Sequence, residues 1–206
     1  MCNGIVSYSG VRYMSVNGGA SRRLILASGS PRRRELLAKM GYAFEICAPD
    51  VDEHVSGHAR DIVKILAERK AEAAAARFDA GVIIASDTLV SLDGFPLGKP
   101  LNAADARHML SLLSGREHEV FTGVCVMDAA TGRHLTRVVR TGVGFRLIRE
   151  DEIDAYIATG EPMDKAGAYA IQGGAGAFVE RLDGSFENVM GFPVDEVREM
   201  LESFDI

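Results

Sequence analysis

The chain has 206 residues, 47% of them hydrophobic, a formal net charge of −6 and three widely separated cysteines, Cys2, Cys47 and Cys125. That length is enough for one substantial core, whereas the acidic balance argues against a broad surface tracking nucleic-acid phosphates. The cysteine spacing excludes a disulfide framework and a CxxC zinc site, and no apolar run approaches the ~18 residues of a membrane span. The expectation is a soluble, cytoplasmic protein with no nucleic-acid or membrane partner.

Residues 1–22 hold Gly, Ser and Asn but no acid, and read as a disordered extension, or alternatively a weak organelle-targeting segment, ahead of a single domain over 23–206. From Leu24 a short apolar strand meets Ser28-Gly29-Ser30-Pro31 and then a helix, with Ser30 as cap, Pro31 at the first helical position and Gly41 as the stop. Residues 43–48 read as a second strand, followed by an acidic, His-bearing loop. The spacing of Ile62, Val63, Leu66, Ala67, Ala71 and Ala74 predicts an amphipathic helix over 60–77. Val82 to Ala85 reads as a strand buried on both faces that ends at Ser86-Asp87-Thr88, and Leu89 to Leu97 as a hairpin turning at Asp93-Gly94.

A helix over 102–113 is capped by Asn102, and two long strands cover 118–127 and 134–147. A short helix over 151–158 stops at Gly160, and a glycine-rich stretch follows to Gly176. A strand over 177–182 and a closing helix over 193–204 complete the chain. Strands and helices without strict βαβ alternation imply an α/β fold with a mixed sheet.

Three arginines, Arg32, Arg33 and Arg34, fall in the first turn of a helix whose N-terminus is already positive. A solvated arginine face is the plain explanation. A bound anion is the sharper one, met by backbone N–H groups from Ser30 to Arg33, the Ser28 and Ser30 hydroxyls and the guanidinium forks. Asp87, at the exit of the most apolar strand, suits a cleft acid that holds a metal or orients water. Lys70 lies on the apolar stripe of its helix and Lys99 behind a hairpin; either alone reads as a snorkelling side chain. Together with Asp52, Glu53 and the arginines they form the mixed charge set that a metal-bound triphosphate needs.

Other patterns fail. Gly94 to Lys99 lacks a spacer and the Ser or Thr of a P-loop, Gly173-Gly174-Ala175-Gly176 precedes a strand rather than a helix, and Glu53-His54 with His58 is not HExxH. The glycine run reads either as a tight loop approached by a ligand or as a plain flexible one. An aspartyl-phosphate phosphatase would want a second Asp two residues after Asp87, where Leu89 stands.

The blocks Leu26 to Arg33, Leu66 to Ala71, Ser86-Asp87-Thr88, Gly98-Lys99-Pro100, Leu113-Ser114-Gly115 and Glu161 to Gly173 resemble, in order, those of the Maf nucleotide pyrophosphatases. The resemblance implies an α/β fold with a mixed, elongated sheet flanked by helices around a central cleft, shared with inosine-triphosphate pyrophosphatases. It also implies a homodimer and a divalent cation, Mg²⁺ or alternatively Mn²⁺. By motif match Asp87 falls on the family's proton acceptor, and Ser30, Arg33, Glu53, Lys70 and Lys99 on its phosphate and metal cluster, with Glu53 and Asp87 as metal ligands and Lys165 as a further phosphate contact. Arg32, Thr88 and Gln172 occupy positions linked to selection of dTTP and UTP, with Gln172 suited to the imide edge of the base. The other outcome weighed is a nucleotide-sensing regulator of cell division with little turnover.

Overall fold

The computed structural model describes residues 22–206; the expected disordered extension lies, but for its last residue, outside them. The strands are β1 (Leu24–Leu26), β2 (Glu45–Ile46), β3 (Val82–Leu92), β4 (Phe95–Leu97), β5 (Glu117–Asp128), β6 (His134–Phe145) and β7 (Val179–Asp183). The helices are α1 (Pro31–Lys39), α2 (Ala59–Ala75), α3 (Ala103–Leu113), α4 (Glu150–Ala158), α5 (Phe186–Val189) and α6 (Val194–Glu202). The strands form one mixed sheet in the order β2-β1-β3-β5-β6-β7, with β4 on the β1 side of β3. β1, β2 and β3 are parallel and the remaining pairs antiparallel.

Local chemistry sets most boundaries. Asn102 caps α3 by accepting from the Asp105 N–H, and Gly41, Gly115 and Gly160 leave their helices with positive φ. Asp93 and Gly94, at φ 53° and 84°, make the tight β3–β4 turn. Ser30 occupies the cap position of α1, but its hydroxyl caps nothing; instead the Ser28 Oγ accepts the Ser30 N–H at 3.2 Å.

The expected strand over 43–48 shrinks to β2, two residues long, because it pairs only with the short β1. The glycine-rich stretch condenses into three short 3-10 turns, so β7 begins at Val179 rather than Ala177. Helix α5, a single turn, has no counterpart in the sequence reading.

The main correction concerns β3. Asp87 does not stand at a strand exit; it is the sixth of eleven residues in a continuous strand. The antiparallel partner β5 pairs with β3 from Val82 to Ser91 and carries the strand through the polar triad. On the other edge β1 covers only residues 82–84 and β4 only 90–92, leaving a gap opposite Ser86 to Leu89. The cleft opens at that gap.

Alternation along β3 assigns the two sides. Ile83 and Ala85 pack against Ala67, Ala71 and Ala74 of α2. Val82 and Ile84 face a core built with Leu36 and Leu37 of α1 and Val197, Met200 and Leu201 of α6. Further along that second side, Val90 and Leu92 belong to a separate core with α3, α4 and Phe145, Tyr169 and Phe178. Among the described residues no helix is long and apolar enough to cross a membrane.

Candidate active site

A cavity of about 690 Å³ occupies the gap in β3's edge, between the N-terminus of α1, helix α2, the β4 arm and the loop around residues 164–169. One end is polar, with Ser28, Ser30, Arg32, Arg33, Lys70 and Asp87; the other is floored by Val90, Val120, Tyr169, Val189 and Met190. Apolar walls with a few convergent polar groups are the usual make-up of a small-molecule site of this size.

Asp87 projects from β3 toward α2, where Lys70 Nζ meets its Oδ1 at 2.6 Å and Glu53 Oε1 at 2.7 Å. Lys70 and Asp87 side chains are each only 13% exposed, so this is a clamp in a partly desolvated site rather than a snorkelling lysine. Glu53 is held below the ordinary carboxylate range chiefly by the Lys70 hydrogen bond, with Lys70, Lys99 and Arg33 charges adding to it. Among the described residues, Asp87 Oδ2 has no hydrogen-bond partner.

Arg33 enters from α1 and fills the missing place beside β3. Its Nη1 donates to the Ser86 carbonyl at 2.6 Å and to Ser28 Oγ at 3.4 Å, its Nε to the Gly191 carbonyl at 2.9 Å, and its Nη2 to Thr88 Oγ1 at 3.2 Å. All four acceptors are neutral, so the guanidinium is fixed in place while its charge is left for a ligand. Burial lowers its pKa, opposed by the charges of Asp87 and Glu53. In the first turn of α1 the Arg32 and Arg33 N–H groups have no acceptor among the described residues; the wider set Ser30 to Arg33 is not available, since Ser28 takes the Ser30 N–H and Pro31 has none. The rim carries Lys99, exposed, and Lys165, paired with Asp164.

Of the ten residues that the family resemblance assigns to the site, nine line one cavity. Gln172 does not: it sits outside, with its amide against the Arg32 guanidinium, where hydrogen-bond chemistry requires the amide oxygen to be the atom that accepts from Nη2, at 2.7 Å. Asp52 also turns away, bonding the His54 N–H and ring in solvent. The glycines 173 and 174 do come close to an anion, but it is the protein's own Glu161 carboxylate, which accepts the Gly174 N–H at 2.9 Å. Sequence reasoning missed Thr122, Asn188 and Gly191, whose only signals are a polar residue in a strand core, an Asn in an apolar run and the Gly-Phe-Pro before the last helix, and gave no role to Tyr169, which lies within the matched block Glu161 to Gly173.

The donor chemistry fits a hard divalent cation. Two carboxylates on separate segments, Glu53 and Asp87, converge on one point, and among the described residues no cluster of three His, Cys, Asp or Glu exists. A site of one or two carboxylates completed by ligand phosphates is the manner of Mg²⁺, not of an all-protein cage.

A mixed α/β sheet opened at a strand gap, with fixed cations, a helix N-terminus and a lysine-clamped acid pair, gives a cleft whose charge pattern suits a polyanion above an apolar floor. The chain belongs to the Maf family: the family model described as Maf-like protein matches residues 23–204. Proteins named dTTP/UTP pyrophosphatase are similar over most of their length. That of Bdellovibrio bacteriovorus is 46% identical across 88% of this chain and 98% of its own. That of Geobacter metallireducens is 51% identical across 88% and 95%, and that of Desulforamulus reducens 45% identical across 90% and 98%.

Proposed function

We propose that the protein hydrolyses dTTP and UTP to the nucleoside monophosphate and pyrophosphate. The observation that carries this is the clamp of Lys70 between Asp87 and Glu53, facing Arg33 across the cavity. The names of the relatives supply the substrates.

Water attacks the α-phosphorus and its proton passes to Asp87 through the uncommitted Oδ2. The bond from the α-phosphorus to the bridging oxygen breaks, and pyrophosphate leaves with the electron pair. Arg33 and Lys70, with Lys99 and Lys165 from the rim, offset the charge growing on the leaving group; for the two buried donors the effect is of the order of ~3 kcal/mol each. Ser28, Ser30 and the free N–H groups of α1 bind the phosphate oxygens. Glu53 and Asp87 would hold the cation, Mg²⁺ or Mn²⁺, which supplies Lewis-acid polarisation of the phosphoryl oxygens. Arg32 and Thr88 select the base, with Gln172 acting on Arg32. A homodimer in the cytoplasm is the expected form, on the family resemblance, and light scattering reads the assembly directly.

The test is incubation with Mg²⁺ and each nucleoside triphosphate separately, with both phosphate-containing products identified. Monophosphate and pyrophosphate from dTTP and UTP, with little from purine nucleotides, is the expected result. Orthophosphate as the released product would point to a phosphatase, and tight binding of intact nucleotide without product to a sensor.

A further inference from the structure

Counting hydroxyl protons beneath the cavity fixes what Thr88 offers a ligand. Thr122 Oγ1 lies 2.9 Å from the Asn188 carbonyl oxygen, which only accepts, so the single Thr122 proton is committed there. Thr122 Oγ1 also lies 3.0 Å from Thr88 Oγ1, and with its own proton spent it accepts; the Thr88 proton therefore points at Thr122, away from the cavity. Arg33 Nη2 donates into Thr88 from a third side. Thr88 thus faces the ligand as an acceptor only. Ser28 is the opposite case: its oxygen accepts from Ser30 N–H and Arg33, and its proton remains to donate.

The orientation is built in. Thr122 and Asn188 are fully buried, and the Asn188 amide nitrogen donates to the Val120 carbonyl at 3.3 Å and to Thr141 Oγ1 at 3.0 Å, so α5 and its carbonyl are tied to two strands, β5 and β6. Thr88 stands where the arginine cluster meets the apolar floor of Val90 and Val120, a boundary suited to the base of a nucleotide whose phosphates meet the arginines.

We infer that Thr122 is a specificity-determining positioning residue: by taking the Thr88 proton it makes Thr88 an acceptor for the ring imide N–H of uracil or thymine and a repellent partner for cytosine, whose corresponding nitrogen carries a lone pair. This rests on the proposed pyrophosphatase function and deepens it. A sugar hydroxyl, which both donates and accepts, would be indifferent to the proton's direction, so the base is the group the device discriminates.

The test compares UTP and CTP turnover, and equilibrium binding of UMP and CMP without metal, for wild type, Thr122→Val, Thr122→Ser and Thr88→Val. With Thr122→Val the Thr88 hydroxyl turns either way: kcat/KM for CTP rises roughly tenfold while UTP is held, and CMP binding tightens in step. Thr122→Ser keeps wild-type ratios, and Thr88→Val narrows the ratio by losing UTP rather than gaining CTP. Should Thr122→Val fold poorly, Thr122→Ala removes the same acceptor. An unchanged UTP to CTP ratio and unchanged UMP to CMP ratio in a folded Thr122 variant overturns the inference. Absence of pyrophosphate from wild type together with a CMP shift in the variant would sink the pyrophosphatase reading and leave this one standing.

Discussion

Gly123 stands directly opposite Asp87 in the β3–β5 ladder, and a Cβ added there would lie 2.3 Å from the Val63 carbonyl oxygen of α2. The bare backbone lets α2 settle on the sheet at the register of the acid. Lys70, two turns beyond Val63, then reaches Asp87. Gly123→Ala forces the helix away from the strand, and overpacking of this kind is destabilising by about 1–3 kcal/mol. The variant should unfold at lower urea and lose most pyrophosphate release even where it is folded. An unchanged midpoint with unchanged turnover would mean that this close approach does not position Lys70.

Replacing Lys70 separates binding from ionisation. Lys70→Met leaves two carboxylates facing each other without the cation that holds Glu53 low. Removing a cation raises a carboxyl pKa, so the acid limb of the pH–rate profile should move to higher pH, with turnover at neutral pH down on the order of 100-fold. Asp87→Asn, by contrast, should abolish turnover at every pH while nucleotide binding, measured by calorimetry, persists. Wild-type turnover in Asp87→Asn would assign the proton acceptor to another group.

The features legible in the sequence were those set by nearby residues. Pro31, Asn102 and the Asp93-Gly94 turn act within a few positions of themselves, and the excess of arginine at one helix start is a local electrostatic conflict. The length of β3 was not legible, because its polar middle is sustained by β5, some forty residues away, and not by its own composition. Helix α5 was hidden for the same reason: one turn has little intrinsic stability, and it is held by Thr122 and Thr141 of distant strands. Gln172 shows the limit of motif matching, since its position beside Arg32 rather than in the cavity depends on how the three 3-10 turns fold.

Gly191 sits at φ 95°, and a Cβ on it would be 2.9 Å from Thr88 Oγ1 and 3.2 Å from Arg33 Nη2. Its carbonyl also accepts from Arg33 Nε. Gly191→Ala therefore combines backbone strain of about 1–3 kcal/mol with displacement of Arg33 at the phosphate end and of Thr88 where that end meets the apolar floor. We expect KM for UTP to rise about tenfold, with a smaller change in kcat, since Asp87 lies on the opposite face of β3. A larger loss in kcat than in KM would mean that Arg33 acts mainly in the transition state.

His118 gives the fold a defined acid sensitivity. It is 3% exposed, packed edge-on against Phe145 and Tyr169, with Nε2 2.9 Å from the Tyr169 hydroxyl and Nδ1 unpartnered. Burial pushes its pKa down to about 4. Between that value and the ordinary value near 6.5 the unfolded chain binds a proton that the folded chain refuses, so stability falls as pH drops through this window and is fully present above it. Each pH unit inside the window is worth up to about 1.4 kcal/mol, so roughly 2 kcal/mol should be lost between pH 7 and pH 5. His118→Phe keeps the aromatic packing and removes the titration, at the expense of the Tyr169 contact. Its urea midpoint should be lower than wild type at pH 7 yet nearly constant down to pH 5, where the two proteins converge. Parallel pH dependence in both proteins between about pH 7 and about pH 5 would place the acid sensitivity in a group other than His118.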